Sequence, residues 1–416
     1  MSIFKPFKAL RPLPAYAEKV AALPYDVMTS AEAREKVKDN PYSFLHVDKA
    51  EIDLPLDTDL YSEEVYARAA SNLRSLETDE IMKQDNYDCF YIYEQTWKGC
   101  TQTGLVGCAS IDEYINGKIK KHELTRADKE ADRIHHVDTC DANTGPIFLT
   151  YKGDEKINAI IRQYEKQNSP VYEFTSEGGV KNRIWVVNND RGDADLLSEA
   201  FKNVEALYIA DGHHRCASAV KVGQKRREEN PDYTGNEEFN FFLAVAFPKE
   251  ELRILDYNRV IKDLNGLSKE DFLKKVNEKF QIETTLNLEP FAPEARHTFG
   301  MLLEGKWYKL TAKDGTFPEN DPVASLDVSI LQDNLISPIL GIADPRTDKR
   351  IDFVGGIRGL SELERRCNDD MELAFAMFPT SLDELINIAD SGNLMPPKST
   401  WFEPKLLSGL FIHKLK

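Results

Sequence analysis

The order of apolar and polar positions along this chain predicts short strands interspersed with helices. Strands are expected where β-branched and aromatic residues run together, and helices where apolar residues recur every three or four positions. Predicted strands cover 43–47, 89–95, 103–111, 147–151, 170–175, 182–187, 207–210, 240–247, 282–285, 298–304, 306–312, 350–356 and 370–378. Predicted helices cover 16–23, 31–38, 61–81, 156–167, 193–201, 269–280, 323–335 and 382–390. The strands at 89–95 and 103–111 are expected to form a hairpin, and the charged residues 221–234 are expected to be mobile. Thr29 or Ser30 is expected to cap the helix at 31–38, and Ser381 with Glu384 to form a capping box at 382–390. These elements predict an α+β fold with a mixed-sheet core and a smaller α/β subdomain.

One strand-to-helix junction carries an unusual run of polar residues. The apolar run Leu207 to Ala210 is followed by the five residues Asp211 to Arg215, and small residues then begin a helix. Gly212 permits a backbone conformation closed to other residues. The free N–H groups and the dipole of a helix N-terminus attract anions, and His213, His214 and Arg215 add donors. The junction therefore predicts a phosphate or carboxylate site, against the alternative of a plain Asp-Gly turn with surface histidines.

A second polar stretch covers residues 121–138. It has too few apolar positions for an ordinary core helix, and a salt-bridged surface helix is the alternative interpretation. Five of the eight histidines of the chain lie in this stretch or in the turn at 211–215. We interpret Glu123 as a candidate general base and the basic side chains as neutralisers of phosphate charge. The candidate binding residues of the stretch are His122, Thr125, Arg126, Lys129 and Arg133.

Two further segments contribute candidates. Asp26 follows a proline, and it is either a turn former or a site acid. The proline-braced stretch 395–405 carries hydroxyl and ammonium groups that can hold a phosphate or carboxylate. Its alternative role is to dock the chain terminus, with 406–415 pairing in the sheet. The candidates in this stretch are Lys398, Ser399, Thr400 and Lys405.

Composition narrows the class of protein. The 416 residues carry a formal net charge of −17, which disfavours general nucleic-acid binding and requires any anion site to be locally positive. The six cysteines form no Cys-x-x-Cys pair, the N-terminus lacks a signal core, and no apolar run is long enough to span a membrane. We therefore expect a cytoplasmic protein without a membrane segment. Its oligomeric state stays open, with a homodimer among the options.

The predicted organisation has three segments. Residues 1–250 are expected to form the core with an N-terminal extension, 251–335 a small α/β lid or packing subdomain, and 336–416 a segment that returns to the core. No Gly-x-x-x-x-Gly-Lys motif occurs, so a P-loop nucleotide site is not expected.

The Asp-Gly-His-His-Arg turn at 211–215 resembles the phosphate-binding turn of the ParB/sulfiredoxin-like superfamily, especially its free serine kinases. A longer resemblance, in motif order over nearly the whole chain, is to the family called domain of unknown function 1015. The segments that carry it are 24–27, 122–123, 132–133, 210–215 and 395–405. The chain is longer than the free serine kinases and shows no adenine-reading motif.

The resemblance implies a phosphotransferase that acts on free L-serine or O-phosphoserine, and a phosphoserine phosphatase would use the same site. It assigns candidate catalytic roles to Glu123, Asp211 and His213, with Asp211, or Asp26 instead, as a ligand of Mg²⁺. The phosphate donor stays open between ATP, ADP and pyrophosphate. A ParB-like nucleotide-binding protein and a non-catalytic ligand sensor are the alternatives from other classes.

Overall fold

The computed structural model describes residues 2–285 and 290–416. The chain divides into two units. The first consists of Met1–Leu252 with Pro404–Lys416, and the second of Arg253–Glu403. The large mixed sheet of the first unit and the helices around it confirm the predicted α+β class.

The strands of the first unit are mostly apolar and buried, as the sequence pattern predicts. The hairpin predicted across 89–111 is present, and its two-residue turn is made by Lys98 and Gly99, both with positive φ. The strands are β1 Phe4–Lys5, β2 Leu10–Pro12, β3 Met82–Gln84, β4 Phe90–Trp97, β5 Cys100–Ser110, β6 Ile119–Lys120, β7 Ala142–Asn143, β8 Ile147–Tyr151, β9 Tyr172–Ser176, β10 Val180–Val187, β11 Leu207–Asp211 and β12 Phe241–Pro248.

A nine-stranded sheet forms the centre of the first unit. Its order is β6-β11-β8-β12-β5-β4-β10-β9, and β1 also pairs with β5. The pairs β6–β11 and β8–β12 are parallel and the others are antiparallel. One core cluster collects fully buried side chains such as Phe90, Trp185, Phe201 and Phe242. Because β6 and β11 run in the same direction, the residues that follow each of them emerge at the same edge of the sheet.

Helices surround this sheet. The helix α2 begins with the predicted cap, because Thr29 and Glu32 form a capping box. The helices are α1 Ala17–Val20, α2 Ser30–Val37, α3 Leu45–Asp48, α4 Glu63–Thr78, α5 Ile111–Ile115, α6 Ala127–Cys140, α7 Glu155–Gln167, α8 Asp193–Phe201 and α9 His213–Glu229. Short 3-10 turns lie at Pro14–Tyr16, Tyr25–Val27, Ala50–Asp53, Glu238–Asn240 and Lys249–Glu251.

Two of the sequence-based expectations are wrong in this unit. Residues 43–47 were expected to form a strand, yet α3 covers most of them, because a short apolar run does not distinguish a strand from a buried helix. The charged residues from 221 onward were expected to be mobile, yet α9 continues to Glu229. Its basic side chains are held by ion pairs, from Arg226 to Asp138 and from Arg227 to Asp112.

The second unit contains a six-stranded antiparallel sheet of order β15-β17-β16-β19-β14-β18 and a separate pair, β13–β20. Its strands are β13 Ile254–Leu255, β14 Tyr257–Ile261, β15 Phe280–Thr284, β16 Thr298–Leu303, β17 Lys306–Ala312, β18 Ile351–Gly355, β19 Leu373–Met377 and β20 Trp401–Phe402. Its helices are α10 Lys269–Lys279, α11 Asp327–Leu331, α12 Leu360–Asp369 and α13 Leu382–Asp390. The predicted capping box of Ser381 and Glu384 is present at α13.

The last residues of the chain belong to the first unit. Strand β21 (His413–Lys414) pairs with β7, and Ile412 forms a bridge with Leu10. The side-chain amide of Gln95 donates a hydrogen bond to the carbonyl of Lys405 at 3.0 Å. These contacts fix Lys405 within the first unit. No helix in the described ranges 2–285 and 290–416 is both long and apolar enough to cross a membrane.

Candidate functional site

The predicted strand-to-helix turn is present at the end of β11. Asp211 ends the strand, Gly212 has φ +90° and ψ 32°, and α9 begins at His213. A side chain at Gly212 would be strained at this φ and would meet the guanidinium of Arg215 at about 3.1 Å. Cys216 donates its N–H to the carbonyl of Gly212. The N–H groups ahead of Cys216 in the first turn precede the helical hydrogen-bond ladder, as expected at an anion-binding helix start.

Asp211 is held from two sides. One carboxylate oxygen accepts the N–H of Gly212 at 2.9 Å, and the other accepts Lys405 Nζ at 3.0 Å. Burial raises the pKa of Asp211, but the charges of Lys405 and Arg215 outweigh burial and hold this pKa well below its usual value. Asp211 is thus an ionised, oriented carboxylate. Its oxygens fit the preference of Mg²⁺ for oxygen ligands, though each already accepts one hydrogen bond.

Arg215 is a partly buried cation next to this carboxylate. Its Nη1 donates to the carbonyl of Pro146 at 2.7 Å, while its buried Nε has no hydrogen-bond partner in the described part of the chain. Burial lowers the pKa of Arg215, but Asp26 and Asp211 outweigh this effect and leave it raised. A guanidinium N–H without a partner in such a place is costly unless a ligand or water accepts it.

Arg133 lies in the same pocket as Arg215. Its guanidinium stacks over the ring of Tyr25 at 4.1 Å and pairs with Asp132 at 2.9 Å. Asp48, only 4% exposed, also lines this narrow pocket and accepts a hydrogen bond from Thr144 Oγ1 at 3.0 Å. The full lining is Tyr25, Asp48, Arg133, His136, Val137, Asn143, Thr144, Gly145, Ile147, Arg215 and Ala219. The pocket therefore presents two cations and one carboxylate at short range.

Two histidines from distant parts of the sequence pack together beside the turn. The rings of His122 and His213 meet edge to face, with their centroids 4.5 Å apart. Burial lowers the pKa of His122 to about 4 and lowers that of His213 well below its ordinary value. Both rings are therefore neutral at pH 7. Glu123 offers a ligand atom that lies within 4.8 Å of one on each ring.

Other predicted residues lie at the rim of this region. Thr125 Oγ1 donates to Glu130, and the side chain of Arg126 pairs with Asp128. The N–H of Arg126 donates to His214 Nε2 at 3.0 Å, so the backbone and not the side chain of Arg126 contacts the turn.

Lys129 and Asp26 are also at the rim. Lys129 Nζ is 3.4 Å from the hydroxyl of Tyr61. Asp26 is exposed, and its charge acts on both Arg215 and His214. It contributes to the site through its charge.

Three predicted residues belong to the second unit. The carbonyl of Lys398 accepts a hydrogen bond from Arg259 at 3.1 Å, and Ser399 Oγ donates to the carbonyl of Pro396 at 2.6 Å. Thr400 directly precedes β20. These interactions brace the loop itself. Lys405, the fourth candidate in 395–405, belongs to the first unit and pairs with Asp211.

Sequence reasoning selected only Arg133 and Arg215 of the pocket residues and missed the others, among them Tyr25 and Asp48. Tyr25 stood beside the selected Asp26, and an aromatic ring near a candidate acid was the available signal. Asp48 stood at the end of a run that was expected to be a strand, and nothing in its neighbourhood pointed to a site. Its position became clear only from the helix α3 and from its bond to Thr144.

The first unit is thus an α+β protein, and the candidate site lies where β11 meets α9. The family model described as "Protein of unknown function (DUF1015)" matches residues 4–329. This match covers more than half of the chain, so the chain belongs to the DUF1015 family. The match confirms the resemblance seen in the sequence motifs. A search of curated proteins found no match.

Several solved structures are similar over most of the chain. A free serine kinase in complex with AMP is 14% identical, with 76% of this chain and 91% of that chain covered and a TM-score of 0.35. A conserved hypothetical protein from Pyrococcus furiosus is 14% identical, with 73% and 93% covered and a TM-score of 0.35. C-terminally truncated SbnI from Staphylococcus aureus is 12% identical, with 73% and 85% covered and a TM-score of 0.35. At these values the likenesses carry no argument about activity.

Proposed function

We propose that the first unit is a phosphotransferase for a small amino-acid-like substrate, with free L-serine or O-phosphoserine as the best candidate. One observation carries the proposal: among the residues that the structure describes, the buried Arg215 Nε at the N-terminus of α9 has no hydrogen-bond partner. A guanidinium and free backbone N–H groups at one point are suited to phosphate oxygens. Phosphoryl transfer depends mainly on positioning and on charge neutralisation, which such a point supplies.

The pocket next to Arg215 supports the amino-acid part of the proposal. A zwitterionic amino acid needs one cation for its carboxylate and one anion for its ammonium group. Arg133 and Asp48 offer this pair of charges in one pocket. Because both side chains are almost fully buried, their interactions with a small ligand would be weakly screened.

The proposed reaction assigns a proton acceptor as well. Glu123 takes the proton of the serine hydroxyl, whose oxygen forms a bond to the terminal phosphorus of the donor while the bond from that phosphorus to its leaving oxygen breaks. In the opposite use of the site, water attacks the phosphorus of phosphoserine, the bond from phosphorus to the serine oxygen breaks, and this oxygen takes up a proton, so that free serine and inorganic phosphate are released. Mg²⁺ bound to the donor would shield its charge, with Asp211 as the protein ligand. The donor stays open between ATP, ADP and pyrophosphate.

Phosphorus NMR tests this proposal directly. The full-length protein is incubated with Mg²⁺, serine and either ATP, ADP or pyrophosphate, and a parallel tube holds phosphoserine alone. A new phosphomonoester signal establishes a kinase and identifies the donor, and release of free phosphate from phosphoserine establishes a phosphatase. No change in any tube contradicts the serine assignment.

A matched pair of variants separates an enzyme from a ligand sensor. Glu123→Gln should abolish turnover and leave phosphoserine affinity nearly unchanged. It removes the proton acceptor but none of the groups that are proposed to donate hydrogen bonds to the phosphate. Glu64→Gln, at an exposed position of α4, is the control and should behave as the wild type. A protein that binds phosphoserine without any turnover, with or without Glu123, would be a sensor.

A further inference from the structure

We infer that His122, Glu123 and His213 form a binding site for a divalent transition-metal ion of the zinc type. The inference goes beyond the proposed phosphotransferase and does not depend on it. It differs also from Mg²⁺ at Asp211, since it concerns another set of ligands and another class of metal.

The sheet brings these residues together. Leu207 of β11 pairs with Ile119 of β6 in parallel, so the segments that follow both strands leave the sheet at one edge. His122 and Glu123 follow β6, and His213 opens α9 after β11. One ligand atom from each of the three side chains lies within 4.8 Å of the other two. Ligand atoms about 2.1 Å from one zinc ion lie about 3.4 Å from one another. Small movements of the side chains would bring the three ligand atoms to that spacing.

The two imidazoles have the properties of metal ligands. His122 is 2% exposed and His213 is 7% exposed. Nδ1 of His122 and Nε2 of His213 are buried, and neither has a hydrogen-bond partner within residues 2–285 and 290–416. Buried polar atoms of this kind normally have a partner, so each nitrogen requires a ligand, an ion or a water molecule.

A second contact fixes the orientation of one ring. His122 also forms a hydrogen bond with the backbone carbonyl of Ile209. The ring nitrogen that donates this bond must be Nε2, since Nδ1 is the one without a partner. Nδ1 then carries the lone pair. Metal-binding histidines usually donate their second ring nitrogen to a carbonyl or carboxylate in this manner.

The donor set selects the class of metal. Two imidazole nitrogens and one carboxylate are typical of zinc and of other divalent transition metals, whereas Mg²⁺ prefers oxygen ligands. Three protein ligands leave one position open for water or substrate, as in catalytic zinc sites. With the ion bound, Glu123 is a ligand. The proton-acceptor role proposed above for Glu123 applies to the protein without the ion.

Zinc binding by the full-length protein tests the inference without any substrate. Chelator-treated protein is dialysed against Zn²⁺ alone, bound metal is measured by mass spectrometry, and Co²⁺ is substituted to read its visible d–d absorption. We expect one ion per chain, retained in excess Mg²⁺. His122→Gln and Glu123→Gln should weaken binding at least about tenfold, because each removes a ligand. His46→Gln, at a histidine paired with Asp53, is the control and should leave binding unchanged.

The outcomes are distinct. Three results would overturn the inference: the wild type binds no stoichiometric zinc, Mg²⁺ displaces the bound zinc as readily as added Zn²⁺ exchanges with it, or both ligand variants bind zinc as tightly as the wild type does. A water molecule shared by the two imidazoles would produce the first of these results. Circular dichroism checks folding, and Glu123→Gln, which keeps the side-chain shape, decides the matter if His122→Gln does not fold. If the wild type binds zinc but shows no phosphoryl transfer, the proposed function is contradicted and this inference stays intact.

Discussion

Two polar clusters of the first unit look alike in the sequence and differ in the structure. The turn cluster is Asp211 to Arg215, and the polar helix cluster is the stretch 121–138, which contains most of α6. In the turn cluster His213 is buried and Arg215 is partly buried, and their neighbours come from distant parts of the chain. In the polar helix cluster Arg126 is 71% exposed and pairs with Asp128, two residues away.

The difference teaches that burial, more than polarity, marks the residues of a site. An exposed charge is satisfied by water and local partners, and it costs little. A buried polar group needs a built environment or a ligand, because desolvation is expensive. Within the polar helix cluster itself, Arg133 and His136 are buried and line the pocket, whereas Arg126 and Lys129 stay at the surface or near it.

The largest effect on turnover is expected from a substitution of Arg215 in the turn cluster. Arg215→Met keeps much of the side-chain volume and removes the guanidinium proposed to hold phosphate. Turnover should fall about 100- to 1000-fold, the usual effect of losing one charge-stabilising donor. Phosphorus NMR rates measure the effect, and Arg162→Met, at a largely exposed arginine of α7, is the control. Equal rates for the two variants would contradict the assignment.

The next effect concerns the partner of Asp211. Lys405→Met leaves the carboxylate without its ion-pair partner, and the two side chains are only 13% and 30% exposed. The free energy of unfolding should fall by about 1–3 kcal/mol, as when one partner of a buried polar pair is removed. Urea denaturation measures it. Lys416→Met is the control, at a lysine in an exposed pair with Asp141, and should lower the free energy of unfolding by less than about 1 kcal/mol. A similar loss in both variants would contradict the expected difference between the buried and the exposed ion pair.

A pH dependence distinguishes buried from exposed members of the polar helix cluster. Burial, aided by the charge of Arg133, lowers the pKa of His136 in the folded protein. As pH falls, the imidazole of His136 therefore takes up a proton in the unfolded chain before it does so in the folded protein. For this reason the wild type loses stability as pH falls below about 6.5. His136→Gln should flatten this loss in denaturation curves measured at successive pH values. His135→Gln, at the exposed neighbouring position, should leave the slope unchanged, and a flatter slope there would be a contrary result.

The smallest effects are expected on the exposed side of the same cluster. Arg126→Gln and Lys129→Gln should change turnover less than about twofold and stability by less than about 0.5 kcal/mol. The reason is that the N–H of Arg126, which the substitution retains, makes the contact with His214. Losses comparable to those of Arg215→Met would show that these side chains bind the donor phosphates after all.

Local patterns in the sequence determined much of the fold. Alternation and apolar runs located most strands, and the capping boxes at Thr29 and Ser381 are local signals that the structure retains. The turn at Asp211 to Arg215 could be predicted for the same reason, because Gly212 and the change from strand to helix are encoded within a few residues. The run at 43–47 failed because local pattern alone does not separate a short strand from a short helix.

Only the tertiary structure decided which distant residues meet. The parallel pairing of β6 with β11 sets His122 against His213, about 90 residues apart in the chain, and the returning C-terminus carries Lys405 to Asp211. Asp48 joins Arg133 in one pocket although nothing near it in the sequence indicates this. Sequence fixes the local conformation because its causes act between neighbouring residues. The partners of a buried charge depend on long-range strand pairing and packing, which a local pattern does not contain.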